Sequence, residues 1–286
     1  MSSKISIWRK VPGYVGRYND VIYSRPLMSV TPPSQDVLLY FGGDIQDLQE
    51  NMEKTDNKVH KKWCLENTAE ILSTNFPKKH VLVVRPSRIT VNTFSCFDNF
   101  VPSNECGVPT FLPMHNALKH LLELVKSCLI HIKACTTDQD PICFTIENTK
   151  LTLLGFSKGC VVLNQLLHEF HYYQSEQNLD VEIDDFLRLI ESMWWLDGGH
   201  AGSKDTWITE PLILESLKKL GIDVHVHVTP YQVQDFHRQW IREEEHHFCT
   251  ILRNIGVPVK RILHFADKSR SLKHHFNVLK AIRNYT

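Results

Sequence analysis

The chain has 286 residues, 42% hydrophobic and 22% charged, enough to bury a sizeable core as one large α/β domain or two small ones. Lysine plus arginine equals aspartate plus glutamate at 32 each, so the formal net charge is zero. That balance excludes a protein built around polyanion binding, which needs clustered cations to neutralise phosphates; runs such as KVHKKW are short and read as a solvated helix face.

Eight cysteines are scattered without a CxxC pair, several inside apolar runs, and read as free thiols in a reducing compartment. No apolar stretch has the length of a membrane span, and MSSKISIWRKVPGYVGR lacks the apolar heart of a secretory signal. That basic opening is faintly like a transit segment, but KISIWRK and NDVIYS read as short strands, so residues 1–35 are expected to be N-terminal strands or an extension.

Alternating strand and helix patterns follow. DVLLYFGGD and HVLVVRPS are apolar on both faces, as central strands of a covered sheet are. Residues 114–135 carry one apolar stripe through Leu118, Leu121, Leu122, Val125, Cys128, Leu129 and Ile132, the periodicity of a helix. KLTLLG is a strand followed by a helix marked by Leu163, Leu166, Leu167 and Phe170. ESMWWLDGG is a strand; 209–220 is a helix with Thr209 as N-cap and Gly221 just past its end. IDVHVHVTP is a strand, 237–254 a helix, VKRILHF a strand and 271–283 a closing helix. This order predicts one domain over residues 1–286, with a mostly parallel sheet and helices on both faces. Ligands of such sheets bind beyond the carboxyl ends of the strands. The long connections 86–112 and 197–208 leave those ends and are expected to shape the site.

Gly155-Phe156-Ser157-Lys158-Gly159 has the form G-x-S-x-G, set between an apolar strand and an amphipathic helix. In that setting the glycines relieve clashes in a sharp turn that lifts Ser157 above the sheet, at a helix start whose N–H groups favour developing negative charge. The bland alternative is a serine between two turn glycines. A serine hydroxyl needs a base. His275, and beside it His274, lies before the last helix; neighbours there point about 100° apart, so only one can face Ser157, and His275 is favoured. The acid is Asp235, after DVHVHVTP, with Asp197 at the end of MWWLDGG as competitor. A helix cap explains the first equally well and a turn residue the second. Oxyanion donors are expected from the Lys158 N–H and from the double glycine of YFGGD, with the Gly43 N–H preferred and Gly42 and Asp44 beside it. His200, flanked by glycine, is a candidate for substrate contact or an alternative base.

Sixteen histidines invite a metal reading, but His225 and His227 have no carboxylate at matching spacing, and Glu243 with His247 reads as a surface helix pair. No metal or organic cofactor is expected, and no Walker or dinucleotide-binding glycine pattern is present.

Together, LLYFGGDIQD, FSCFDNFVPS, LLGFSKGCVVLNQLL, WWLDGGHAG, VHVTPYQVQD and SLKHHF resemble the α/β-hydrolase-like family that contains the vertebrate protein named chromosome 2 open reading frame 69, from about residue 35 to the C-terminus. The resemblance implies an α/β-hydrolase fold and a mitochondrial location, with a cytoplasmic one left open because no transit segment stands out. It marks Ser157, Asp235 and His275. The expected activity is hydrolysis of a carboxylic ester, thioester or related acyl bond in a small-molecule substrate; acyl transfer to another acceptor would use the same residues. The rival is a hydrolase-like scaffold that binds a partner protein and turns over little.

Overall fold

A computed structural model describes residues 5–28, 34–135 and 145–286. Its strands are β1 (Ile5–Pro12), β2 (Tyr18–Ser24), β3 (Val37–Phe41), β4 (His80–Val84), β5 (Arg88–Thr90), β6 (Phe94–Cys96), β7 (Leu151–Phe156), β8 (Ile190–Leu196), β9 (Asp223–Val228) and β10 (Val259–Leu263). Eight of them form one sheet in the order β1-β2-β4-β3-β7-β8-β9-β10, and β5 with β6 forms a separate hairpin inside the long 86–112 connection. The first two strands run antiparallel and the other six are parallel.

The helices are α1 (Gln49–Met52), α2 (Leu65–Asn75), α3 (Ala117–Ala134), α4 (Cys160–Tyr173), α5 (Val181–Leu187), α6 (Pro211–Leu220), α7 (Pro230–Val233), α8 (Gln239–Asn254) and α9 (Leu272–Ala281). Because successive strand side chains face opposite sides, each central strand feeds two cores. Leu39, Leu153, Trp195 and Val226 join the larger one with side chains from α3, α4, α5, α6 and α8. Tyr40, Leu154, Trp194 and Phe156 join the other, with Leu65 and Leu72 of α2 and Phe276 and Leu279 of α9. The full burial of Leu38 and Leu39, one toward each core, is what a run apolar on both faces encodes. Burial contributes about 2 kcal/mol for each such side chain before entropy is counted.

The expected strands are all present, and the helices expected at 114–135, 237–254 and 271–283 form as Ala117–Ala134, Gln239–Asn254 and Leu272–Ala281. At the third helix in sequence after the serine, α6, the expected Thr209 cap is replaced. Glu210 is extended and holds the N-cap position without a side-chain hydrogen bond, and Pro211 takes the first helical place, where its missing N–H costs nothing. Gly221 does adopt the left-handed conformation just past the helix end, at φ +67°.

The start of α3 is capped from a distance. Its own N-cap, Asn116, sits at φ +58° and makes no side-chain cap bond. The carboxylate of Glu169, fully buried on α4, instead accepts from the N–H groups of His115 (2.8 Å), Ala117 (2.8 Å) and Leu118 (2.9 Å). A carboxylate at a helix N-terminus satisfies orphan donors and opposes the helix dipole at once. Glu169→Ala, which strands those donors in the core, is expected to lower the unfolding free energy by about 3 kcal/mol or more. Glu169→Gln, which keeps one acceptor, should lose less, and urea unfolding midpoints of the two variants check the order.

Candidate active site

Strand β7 runs straight into the turn at Ser157, whose φ is +52°. Residues with a Cβ rarely take that conformation, and holding one there costs on the order of 1–2 kcal/mol. The surroundings enforce it. A Cβ on Gly159 would sit 2.0 Å from the Phe41 carbonyl oxygen, and one on Gly155 would sit 2.9 Å from the Cα of Cys160. The elbow is therefore pressed against the end of β3, and only glycine fits at either flank. Gly43, whose added Cβ would lie 2.9 Å from the Cβ of Ser157, covers the serine from the next strand.

The side chain of Ser157 is 8% exposed, and what exposure it has faces a cavity of about 330 Å³. Asp44, Ser157, His200, Tyr231, Arg238 and His275 are among its lining residues. They come from the loops after β3, β7, β8 and β9 and from the start of α9, the carboxyl-end crevice of the sheet. Thr93 and Phe94 of the β5–β6 hairpin and Gly199 and Ala201 also line it, so both long connections reach the cavity.

His275 lies in the first turn of α9, where Ser271 caps the helix by accepting from the His274 N–H. Its ring is held between those of Phe156 and Tyr231, each 4.6 Å away between centroids. Its Nδ1 is 2.6 Å from Asp197 Oδ2. That carboxylate, fully buried at φ +47°, also accepts from the Thr229 N–H (2.7 Å) and the Thr229 hydroxyl (2.6 Å). A carboxylate that only accepts puts the imidazole proton on Nδ1 and leaves the Nε2 lone pair unused. His274 turns away, stacked on Phe265 at 5.0 Å with Nδ1 3.1 Å from the Ser269 carbonyl oxygen.

The carboxylate paired with His275 is thus Asp197, and the preference for Asp235 is corrected. Asp197 is the first residue after β8, whereas α7 intervenes between the end of β9 and Asp235 and carries that residue off. Asp235 accepts from Arg238 Nε (2.8 Å), Arg270 Nη2 (2.6 Å) and the His237 N–H (3.0 Å). Burial alone would raise its carboxyl, but the Arg238 and His237 hydrogen bonds and the two guanidinium charges outweigh burial and hold it below the ordinary carboxylate value.

The expected oxyanion donor is corrected too. The Gly43 N–H donates to Gln46 Oε1 at 2.9 Å, and Gln46 is itself locked by the Tyr40 hydroxyl (2.7 Å), the Trp63 carbonyl (2.9 Å) and Thr68 (3.0 Å). The Ile45 N–H goes to the Thr93 carbonyl at 2.8 Å. Between them Asp44 lines the cavity, its Oδ1 accepting from the Ser95 N–H at 2.9 Å. Burial raises the Asp44 carboxyl above its usual range, against the pull of Lys158, the Ser95 N–H and His275. Gly42 and Gly43 are absent from the cavity lining and back the elbow instead.

The Lys158 side chain is not among the residues that line the cavity. It is fully buried and its Nζ donates to the carbonyls of Gly107 (3.0 Å) and Cys106 (3.3 Å), pinning the long loop to the elbow. Burial lowers its ammonium below the ordinary lysine value, against the attraction of Asp44. His200 lines the cavity but is no base: its Nδ1 accepts from the Gly202 N–H (3.0 Å) and its Nε2 faces the Asp205 carbonyl (3.3 Å). Among the described residues no group of three or more His, Cys, Asp or Glu is placed to hold a metal ion. Gln46 and Thr229 carried no signal in the sequence by themselves; the parallel register of β8 and β9, which pairs Leu196 with His227, is what sets Thr229 beside Asp197.

A family model described as C2orf69 matches residues 8–145 and 131–258. The chain belongs to the C2orf69 family. It is 37% identical over 303 residues to a protein of Mus musculus named mitochondrial protein C2orf69 homolog, covering 92% of this chain and 82% of that one. It is 37% identical over 289 residues to the Homo sapiens protein named mitochondrial protein C2orf69, covering 86% and 74%. Among solved structures the esterase Est22 superposes with a TM-score of 0.51 at 14% identity, over 99% of this chain and 80% of that one. At that identity the likeness shows an α/β-hydrolase fold and nothing finer. Among the described residues no helix is long and apolar enough to cross a membrane.

His80, His120 and His200 are all buried with both ring nitrogens engaged, and burial lowers them to about 4, about 3 and about 4. Unfolded, each binds a proton near 6.5. Between those values the unfolded chain holds more protons, so stability present above pH 6.5 is lost as the pH falls. The expected loss is about 1 kcal/mol per histidine on going from pH 6.5 to 5.5, on the order of 3 kcal/mol for the three together. Urea unfolding at a series of pH values checks this, and a midpoint unchanged between pH 7.5 and 5.5 would contradict it.

Proposed function

We propose that the chain is a serine hydrolase, mitochondrial like its named relatives, that cleaves a carboxylic ester, thioester or related acyl bond in a small molecule. The observation that carries this reading is the conjunction of Ser157 at φ +52° with His275, held 2.6 Å from Asp197, on the wall of one cavity. Ser157 Oγ attacks the carbonyl carbon while His275 Nε2 takes its proton and then returns it to the leaving group. Asp197, fixed by Thr229, holds the imidazole in the tautomer this needs. Water then releases the acyl group by the same exchange of protons.

The oxyanion that forms is met by the backbone N–H of Lys158, the residue after the nucleophile. With the Gly43 N–H given to Gln46, the second donor is the N–H of Asp44, the next residue along the cavity wall. These steps call for no cofactor. A sheet that runs without a break from β1 to β10 supports a single domain for the described residues. The engagement of Gly43 favours the rival scaffold, since it removes a donor that hydrolysis could use.

A fluorophosphonate probe decides between them. Wild type should carry the adduct on the peptide containing Ser157 and Ser157→Ala should carry none; equal absence of labelling overturns the enzyme. For hydrolysis of a neutral 4-nitrophenyl ester, Asp197→Asn is expected to lower kcat by about 10³–10⁴, because the imidazole loses its tautomer. Asp235→Asn should cost less than about tenfold, since it touches no group in the proton path.

A further inference from the structure

Asp235 is freed from the proton path by Asp197, and its arrangement calls for another explanation. It is 7% exposed, yet it gathers two guanidinium groups from different elements. Its Oδ2 accepts from Arg238 Nε at 2.8 Å, from the segment before α8, and from Arg270 Nη2 at 2.6 Å, from the loop before α9. Arg270 is fixed twice more, with Nε donating to the Tyr231 carbonyl at 2.9 Å and its guanidinium carbon 4.8 Å above the Tyr231 ring. The other side of this chain of contacts is the site: the Tyr231 ring lies 4.6 Å from that of His275, and Arg238 lines the cavity with Ser157.

Two guanidinium groups on one carboxylate leave a net positive charge. They also leave donors over: among the described residues no hydrogen bond is made by either Nη of Arg238 or by Nη1 of Arg270. The carboxylate that does line the cavity, Asp44, is already offset by the Lys158 ammonium behind it. Guanidinium groups whose rotamers are locked by a buried acid lose little freedom when they take a ligand, and their planar forks match the oxygens of a carboxylate or a phosphate.

We propose that Arg238 and Arg270, positioned by Asp235, bind an anionic oxygen group on the substrate, so that the chain acts on acyl compounds carrying a carboxylate or phosphate some bonds away from the scissile carbonyl. This rests on the hydrolase reading above and adds the substrate class. Arg238 supplies the donors nearest the reacting serine and Arg270 the outer charge. The anion is held in the same way whether it belongs to the acyl part or to the leaving group.

Two matched pairs of substrates separate these sources. Butyryl-pantetheine and butyryl-4′-phosphopantetheine differ by a leaving-group phosphate, with thiol release as readout. 4-Nitrophenyl hexanoate and the mono-4-nitrophenyl ester of adipic acid differ by an acyl-chain carboxylate, with nitrophenolate as readout. In at least one pair, kcat/KM is expected to favour the anionic member by about thirtyfold or more, the effect of one fork-held ion pair. Arg238→Gln and Arg270→Gln should each cut that preference by about tenfold, mainly through KM. Arg238→Lys, which keeps the charge but not the fork, should fall between wild type and Arg238→Gln and guards against a folding artefact. No preference in either pair, or a preference that survives both Gln variants, overturns the inference while hydrolysis of the neutral members upholds the enzyme. Failure to hydrolyse any of the four overturns the hydrolase reading and this inference with it.

Discussion

The end of β3 and the turn after β7 approach as closely as two backbones can. With the Phe41 carbonyl oxygen only 2.0 Å from where a Gly159 Cβ would be, the chain after β7 has no choice but to reverse sharply into α4. That reversal forces Ser157 into left-handed backbone, and β3 and β7 are hydrogen-bonded neighbours at the centre of the sheet, so the strain is backed by the most buried part of the molecule. The same contact puts Gly43 over the serine and brings Asp44 to the cavity wall. Loops that would otherwise wander are indexed to the elbow.

Electrostatics complete what the backbone starts. Acids are distributed so that each has donors of its own: Asp197 has Thr229 and His275, Asp235 has two arginines, and Asp44 has the Ser95 N–H and the field of Lys158. Each arrangement offsets part of the cost of lost hydration for a buried carboxylate, least completely at Asp44. The division also separates two jobs, one carboxylate orienting an imidazole and the other orienting guanidinium groups, within one crevice.

The sheet was readable because its central strands are apolar on both faces, and the elbow because a G-x-S-x-G stands between a strand and a helix. What the sequence could not rank was the pair Asp197 and Asp235. Both follow strands, and the choice depends on α7, four residues long and too short to leave a periodic signature. The engagement of the Gly43 N–H is hidden from the sequence for a similar reason: its partner Gln46 lies three residues on, in a segment whose hydrogen bonds follow from the packing of Tyr40, Trp63 and Thr68. Glu169 sits mid-helix among apolar residues, where only the position of α3 shows that it is a cap. Helix α2, LENTAEILSTN, leaves little signal in the sequence because the polar residues among Leu65, Ala69 and Leu72 blur the stripe those three form.

The tether from Lys158 Nζ to the Cys106 and Gly107 carbonyls has a dynamic consequence. An internal ammonium cannot be released into water without drawing with it the turn it grows from. The loop crossing the crevice and the reversal that carries the serine are therefore expected to open as one cooperative unit, with shared hydrogen-exchange protection despite the fifty residues of chain between them. Local breathing beneath the serine is thereby tied to a side chain that lies outside the cavity lining.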